Sequence, residues 1–117
     1  MLAIARADGG VEIWDMRLQK RIALAGIYGY PKPWSYGDGN FPIPMTFSPD
    51  GQLLAAGSSV NGQLVFFDAR TGSQLRVMNL HRNGVTDLQF NADGTRLASA
   101  GLDGVVFVLE IADQVTI

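Results

Sequence analysis

Apolar and polar residues alternate along this chain in short runs, each closed by a turn residue, and no window sustains an apolar period of 3.6 residues. Runs of this kind, bounded by Asp-Gly or Asn-Gly, are the pattern of strands joined by tight hairpins. Five such dipeptides punctuate strand boundaries, at 8–9, 50–51, 61–62, 93–94 and 103–104. In the commonest two-residue hairpin turn both central residues need positive φ, which Gly and Asn tolerate, so these pairs predict turns of that type. The pattern predicts strands over roughly 2–7, 11–15 and 21–25, then 45–48, 53–58, 64–68 and 74–79, then 85–91, 96–100 and 105–111, with a remnant at 114–117. That makes about ten strands and no significant helix. "LVFF" (64–67) and "VVFVL" (105–109) are apolar on both faces, as a strand between two layers must be, whereas in "VEIWD" Glu12 shares the parity of Trp14.

The runs repeat. "FSPDGQLLAAGSSVNGQLVFFD" (47–68) lies over "FNADGTRLASAGLDGVVFVLE" (90–110), with Phe47 on Phe90, Leu54 on Leu97 and Asn61-Gly62 on Asp103-Gly104, at an offset of 43 that falls to 42. "LAIARADGGVEIWD" (2–15) matches the later half of the same unit at an offset of 53, with Gly9 on Gly62 and Asp15 on Asp68. A fixed period of strands apolar front and back describes sheets stacked face to face.

Composition narrows the function. With 117 residues the chain is long enough for one core that buries roughly two-thirds of its unfolded surface. Hydrophobic residues make up 47% and charged ones 17%, which excludes general disorder. Nine basic and eleven acidic side chains give a net charge of −2, so no basic field exists to attract a phosphate backbone, and no nucleic-acid partner is expected. Arg6 and Asp8 interrupt the opening apolar run before a signal-peptide core forms, and no stretch approaches the ~20 apolar residues of a membrane helix. No membrane partner is expected. The lack of cysteine fits a reducing compartment, so a cytoplasmic location is the expectation.

The repeat resembles the Trp-Asp-repeat (WD40) β-propeller family, in which each unit of about 40–45 residues builds one four-stranded blade. Trp14-Asp15 is the signature dipeptide, and Phe67-Asp68 and Leu109-Glu110 are degenerate versions at the same distance after a turn glycine. Phe-Ser-Pro-Asp-Gly at 47–51 matches the family's usual turn between its first two strands, and Asn-Ala-Asp-Gly at 91–94 is a variant. The resemblance implies an all-β fold, a partial β-propeller of four-stranded antiparallel blades. Its divisions would be an incomplete first blade at 1–26 holding strands b, c and d, an inserted loop at 27–44, a complete blade at 45–80, and a third blade at 81–117 lacking most of strand d.

The single histidine stands near a serine and an aspartate, the residue types of a base, a nucleophile and an orienting carboxylate. In relatives of this family a histidine before strand a, a Ser or Thr in strand b and an Asp in the b–c turn form a buried hydrogen-bond relay ending on a tryptophan. His81, Ser99 and Asp103 fall on those positions, with Leu109 in place of the tryptophan. A hydrolase would instead need an exposed serine on a strained strand-to-helix elbow, and "LASAG" offers a mid-strand serine with no elbow. The expected role is therefore structural, and no catalytic residue is assigned. Asp8, Asp50 and Asp93 have turn-forming reasons to exist. Arg17, Lys20 and Arg21 read as a solvated turn. One histidine and no cysteine leave too few ligands for a metal site, and no cofactor is expected.

"IYGYPKPWSYGDGNFPIP" (27–44) accounts for the lengthened first period and holds all three tyrosines, one of two tryptophans and four of five prolines. It reads either as a loop folded back on the sheet or as a partner-binding surface, because aromatic residues concentrate binding energy and loops on rigid scaffolds carry function. The candidate contacts are Tyr28, Tyr30, Lys32, Trp34, Tyr36 and Phe41.

About two and a half blades cannot close a ring, and the open arc should expose apolar sheet faces at both ends. Three kinds of cover are expected: further blades of a longer chain, blades of another subunit, or self-association. A start in strand b and a finish near strand d suggest an excerpt or partial gene product. The resulting reading is a non-catalytic scaffold segment binding protein or peptide through loops on one end. The alternatives are a sensor or regulatory segment of a larger signalling or enzyme-linked polypeptide, and, remotely, a hydrolase using Ser99, His81 and Asp103.

Overall fold

The computed structural model describes residues 1–5, 10–26, 43–58 and 61–115. They form ten strands in three antiparallel sheets, in agreement with the all-β expectation. The first sheet holds β1 (Leu2–Ala5), β2 (Gly10–Asp15) and β3 (Lys20–Gly26). The middle sheet holds β4 (Met45–Phe47), β5 (Leu53–Gly57), β6 (Gln63–Asp68) and β7 (Gln74–Asn79). The third holds β8 (Val85–Phe90), β9 (Arg96–Gly101) and β10 (Val106–Glu110). Every strand lies beside its neighbour in sequence, so each sheet is a meander and its register follows from its turns.

The middle sheet is the filling of a sandwich, and strand parity decides which way each side chain points. Leu53, Ala55, Leu64 and Phe66 share one face and pack with Leu88, Phe90, Leu97 and Leu109 of the third sheet. Leu54, Ala56, Val65 and Phe67 share the other and pack with Val11 and Ile13 of the first. Phe66 and Phe67, adjacent in sequence, are both fully buried in different cores. Burying such a side chain is worth about 1.5–3 kcal/mol, so this strand is stabilised twice over.

The two flanking sheets have a neighbour on one side among the described residues, and their outer faces keep exposed apolar residues. Val106 and Val108 are 66% and 65% exposed on the third sheet, and Leu2 and Ile4 are each 41% exposed on the first. The double-sided burial expected of "VVFVL" is thus realised on one side of β10, through Leu109 and the half-buried Phe107.

The repeat is visible in irregularities as well as strands. A register shift falls between Ile13 and Trp14 in the first sheet and between Phe66 and Phe67 in the middle one, which are matching positions of the unit. Such bulges bend the strand and increase its twist just before the chain turns back.

The hairpin turns differ from the expected type. Gly51, Gly62, Gly94 and Gly104 take positive φ, but the Asp or Asn before each does not. The reason is the side chain: Asp50, Asn61, Asp93 and Asp103 each accept, through Oδ1, the N–H two residues on, at 3.0–3.1 Å. This local bond holds the carboxylate or amide residue at ordinary φ and leaves the left-handed step to glycine. The loops are therefore one or two residues longer than the tightest hairpin, with Ser48 and Asn91 donating N–H to Leu53 and Arg96 across two of them.

Of the expected strand remnant at 114–117, Gln114 instead closes a single helical turn, α1 (Ile111–Gln114), and Val115 is extended. Residues 116–117 lie outside the described residues. The turn forms because a four-residue step points Ile111 and Val115 into the same core. Val115 donates N–H to the Ile111 carbonyl, and Ile111 donates to Thr95.

Two glycine substitutions test how the turns are held. A Cβ on Gly51 would meet open space, whereas one on Gly62 would strike the His81 and Asn83 carbonyls. Gly51→Ala should cost the left-handed penalty of about 1–2 kcal/mol, and Gly62→Ala about 2–5 kcal/mol because the neighbouring chain must also shift. Equal losses in denaturant unfolding would contradict the clamping of this turn.

Candidate functional site

His81 sits in the connection from β7 to β8, Ser99 in the middle of β9 and Asp103 in the turn from β9 to β10, and the fold brings all three together. His81 Nδ1 lies 3.0 and 3.1 Å from the two Asp103 carboxylate oxygens, and Nε2 lies 2.8 Å from Ser99 Oγ. An ionised carboxylate only accepts, so Nδ1 carries the proton that faces Asp103. Ser99 is fully buried and His81 is 4% exposed.

Asp103 ties more than the histidine. It also accepts the backbone N–H groups of Arg82 and Val105, each at 3.1 Å. Burial pushes its carboxyl upward, but the bonds from Val105, His81 and Arg82 and the adjoining imidazole outweigh that and hold it below the usual carboxylate range. A Cβ on Gly101 would strike the His81 ring and approach Asp103 Oδ1 within 2.8 Å, so glycine is what lets the ring lie against β9.

Sequence reading missed one member. Leu109, the expected substitute for a terminal tryptophan, lies opposite Leu97, and the side chain against His81 is Phe107, directly across from Ser99. Its ring centroid is 5.1 Å from that of His81 at an interplanar angle of 73°, an edge-to-face contact. The register set by the Asp103-Gly104 turn was the signal for it, since pairing Leu97 with Leu109 forces Phe107 opposite Ser99.

The same residues hold adjacent sheets and turns at one end of the stack. His81 N–H donates to the Gly62 carbonyl and Val85 N–H to that of Ser58, binding the third sheet to the β5–β6 turn. Leu102 N–H donates to Gly84, binding the same connection to the β9–β10 turn. The chain leaves the first sheet at this end too, where Gly26 pairs with Gly10, and it re-enters where Pro44 accepts Gly57 N–H. Tyr28, Tyr30, Lys32, Trp34, Tyr36 and Phe41, the candidate partner contacts, lie outside the described residues between those two points.

At the opposite end the carboxylates serve turns. Asp50 accepts Ser48 Oγ at 2.6 Å and Asp93 accepts Thr95 Oγ1 at 2.6 Å, and these hydroxyl bonds are the main reason each carboxyl lies below its usual range. Asp68 is lowered first by the Arg70 N–H and then by its side chain. Arg17, Lys20 and Arg21 are exposed at the β2–β3 turn, where Arg21 reaches Glu12 at 3.9 Å. Among the described residues no group of three His, Asp or Glu side chains could hold a metal ion, and no helix is long and apolar enough to cross a membrane.

Stacked sheets of three or four strands, two of them with a bulge at the matching position, define a repeat that a family model also matches. The model described as WD domain, G-beta repeat, covers residues 45–68 and 72–109, more than half of the chain. The chain belongs to the WD-repeat family. Among curated WD-repeat relatives it is 32% identical over 114 residues to Meiotic fizzy-related protein 2 of Schizosaccharomyces pombe, covering 94% of this chain and 20% of that protein. It is 35% identical over 98 residues to Periodic tryptophan protein 2 of Arabidopsis thaliana, covering 84% of this chain and 10% of that one. The chain thus spans a fifth or less of these two relatives. Among solved structures, the C-terminal WD40 domain of Sif2 superposes with a TM-score of 0.68 at 19% identity, over 95% of this chain and 30% of that one. The computationally designed Ika4 protein superposes with a TM-score of 0.67 at 24% identity, over 92% and 58%. Domains of this family generally serve as non-catalytic scaffolds and typically bind proteins or peptides.

The lowered Asp103 carboxyl makes the pH dependence definite. Because its folded value lies below its unfolded value of about 3.9, its contribution is complete above that pH and lost as pH falls through the folded value. Asp103→Asn places an amide N–H₂ where acceptors are required, so it should lower stability at pH 7, with the gap to the wild type narrowing below about pH 4. Parallel stability curves across that acid range would refute the role given to the charge.

Proposed function

We propose that this chain is a non-catalytic segment of a WD-repeat scaffold that binds protein or peptide partners through loops on one end, the end where the His81 connection meets the β5–β6 and β9–β10 turns. The observation that carries the reading is that the described chain stops at Gly26 and resumes at Ile43 on that end, so the most aromatic stretch of the sequence departs from the end where the His81 connection ties two sheets. Rigid footing lowers the ordering cost of a binding loop. Tyr28, Tyr30, Trp34, Tyr36 and Phe41 supply the contact area and Lys32 a charge.

His81, Ser99 and Asp103 serve in this reading as a structural relay. Ser99 Oγ is fully buried and meets His81 within a sheet interface, so a substrate carbonyl has no path to it. A half-broken buried network is costly, which suits a group that sets the geometry of the loop-bearing end.

Two measurements test the proposal. Replacing Tyr28, Trp34 and Tyr36 together by alanine should leave the unfolding midpoint nearly unchanged and reduce capture of a cross-linked peptide or protein partner by at least about tenfold, a loss of roughly 1.4 kcal/mol or more. Undiminished capture would remove the loop from the function. Ser99→Ala should cost about 1–3 kcal/mol in stability while hydrolysis of small ester substrates stays at background in both proteins. Ester turnover that vanishes with the hydroxyl would overturn the structural role.

A further inference from the structure

A further Asn-Gly pair, Asn83-Gly84, lies in the connection from β7 to β8 and takes no part in a hairpin turn. Asparagine followed by glycine loses ammonia readily, because glycine has no Cβ to shield the backbone nitrogen that attacks the side chain. The chain holds two such pairs, Asn61-Gly62 and Asn83-Gly84, and both asparagines are exposed. Exposure therefore does not separate them; their hydrogen bonds do.

Asn61 is fixed in its turn. Its Oδ1 accepts the N–H of Gln63 at 3.1 Å, so the side-chain carbonyl faces past the glycine nitrogen. That nitrogen is itself engaged, donating to the Ser58 carbonyl at 3.3 Å, and Asn61 N–H donates to Ser58 Oγ. Gly62 cannot adjust, since the carbonyls of His81 and Asn83 lie hard against its Cα.

Asn83 is arranged the other way. Its Oδ1 accepts the N–H of Gly84 at 2.9 Å, which folds the side-chain carbonyl back over the one nitrogen able to close a ring with it. Among the described residues Gly84 N–H has no other partner, and the Asn83 amide nitrogen donates to nothing.

We propose that Asn83 is a site of spontaneous covalent modification that converts it to aspartate and isoaspartate, while Asn61 is protected. Gly84 N gives up its proton and attacks Asn83 Cγ. The N–Cγ bond forms, the Cγ–Nδ2 bond breaks, and Nδ2 leaves with that proton as ammonia, closing a succinimide. Water then adds to either ring carbonyl. Breaking N–Cγ gives aspartate on the original main chain; breaking the bond to the Asn83 backbone carbonyl gives isoaspartate, whose main chain runs through Cγ.

The consequences fall on the loop-bearing end. Either product adds a negative charge beside Arg82, whose N–H is held by Asp103. Isoaspartate also lengthens the main chain by one methylene where the Asn83 carbonyl abuts Gly62 and where Gly84 accepts the Leu102 N–H. The added atom works against the bonds that tie this connection to the turns of two sheets. The modification does not depend on that end binding a partner.

Ageing the folded 117-residue chain in warm, mildly alkaline buffer and mapping its peptides by mass spectrometry tests the assignment. Exchange of the amide for a hydroxyl should accumulate about tenfold faster at Asn83 than at Asn61, the difference expected when one glycine nitrogen is bonded elsewhere and the other is not. In denaturant, where both are plain Asn-Gly pairs, the two rates should converge. An isoaspartyl methyltransferase should label the Asn83 peptide of the aged chain. Asn83→Gln, which can close only a larger ring, should abolish the exchange at this position and leave the unfolding midpoint nearly unchanged. Equal rates at the two pairs in the folded chain, or faster loss at Asn61, overturn the proposal. An isoaspartate-bearing fraction as stable as fresh protein overturns the structural consequence drawn for it.

Discussion

The structure depends on one constraint: the middle sheet must be apolar on both faces at once. A strand sends successive side chains to opposite sides, so β5 and β6 need uninterrupted apolar runs, and Leu64-Val65-Phe66-Phe67 supplies four fully or almost fully buried residues in a row. Each face then requires a sheet of its own with matching parity. Val11 and Ile13 provide it on one side, Leu97 and Leu109 on the other. A polar residue at any of these positions would leave an unsatisfied group between two layers, which is far costlier than the same change on a wetted sheet.

Stacking of this kind leaves slack in one respect, because apolar faces slide more easily than ladders do. The polar groups at the loop-bearing end remove the slack. His81, Ser99 and Asp103 join β9 to the connection before β8, and the backbone bonds at Gly62, Ser58 and Gly84 join that connection to turns of two different sheets. Directional bonds thus fix how the sheets sit on one another, while burial supplies the greater part of the stabilisation.

Much of this was legible in the residues. The parity of Glu12 with Trp14 places both on the outer face of the first sheet, where Trp14 Nε1 donates to Glu12 Oε1 at 3.1 Å. The pairs at 50–51, 61–62, 93–94 and 103–104 mark turns, while that at 8–9 lies outside the described residues, and the turn type depends on a competition that the dipeptide does not reveal. The Asp side chain can bond two residues ahead, and that bond wins over the left-handed conformation. The helical turn at Ile111–Gln114 was hidden for a different reason: four residues carry too little periodicity, and only the core position of Val115 selects it. Phe107 was overlooked because the family pattern drew attention to Leu109, although register alone places Phe107 beside the histidine.

The outer faces follow the same logic as the inner ones. Val106 and Val108 occupy the repeat positions of Leu64 and Phe66 in the middle sheet and of Val11 and Ile13 in the first, and those four residues are fully buried against a neighbour. The third sheet therefore presents to solvent the face that its two counterparts bury. Leu2 and Ile4 likewise occupy the positions of Leu54 and Ala56, which are covered. Beside these apolar residues the outer faces carry a few polar side chains, Glu12 and Arg21 on the first sheet and Gln89 on the third. Exposed apolar residues in rows of this kind are what interaction surfaces are made of, and both open faces present them.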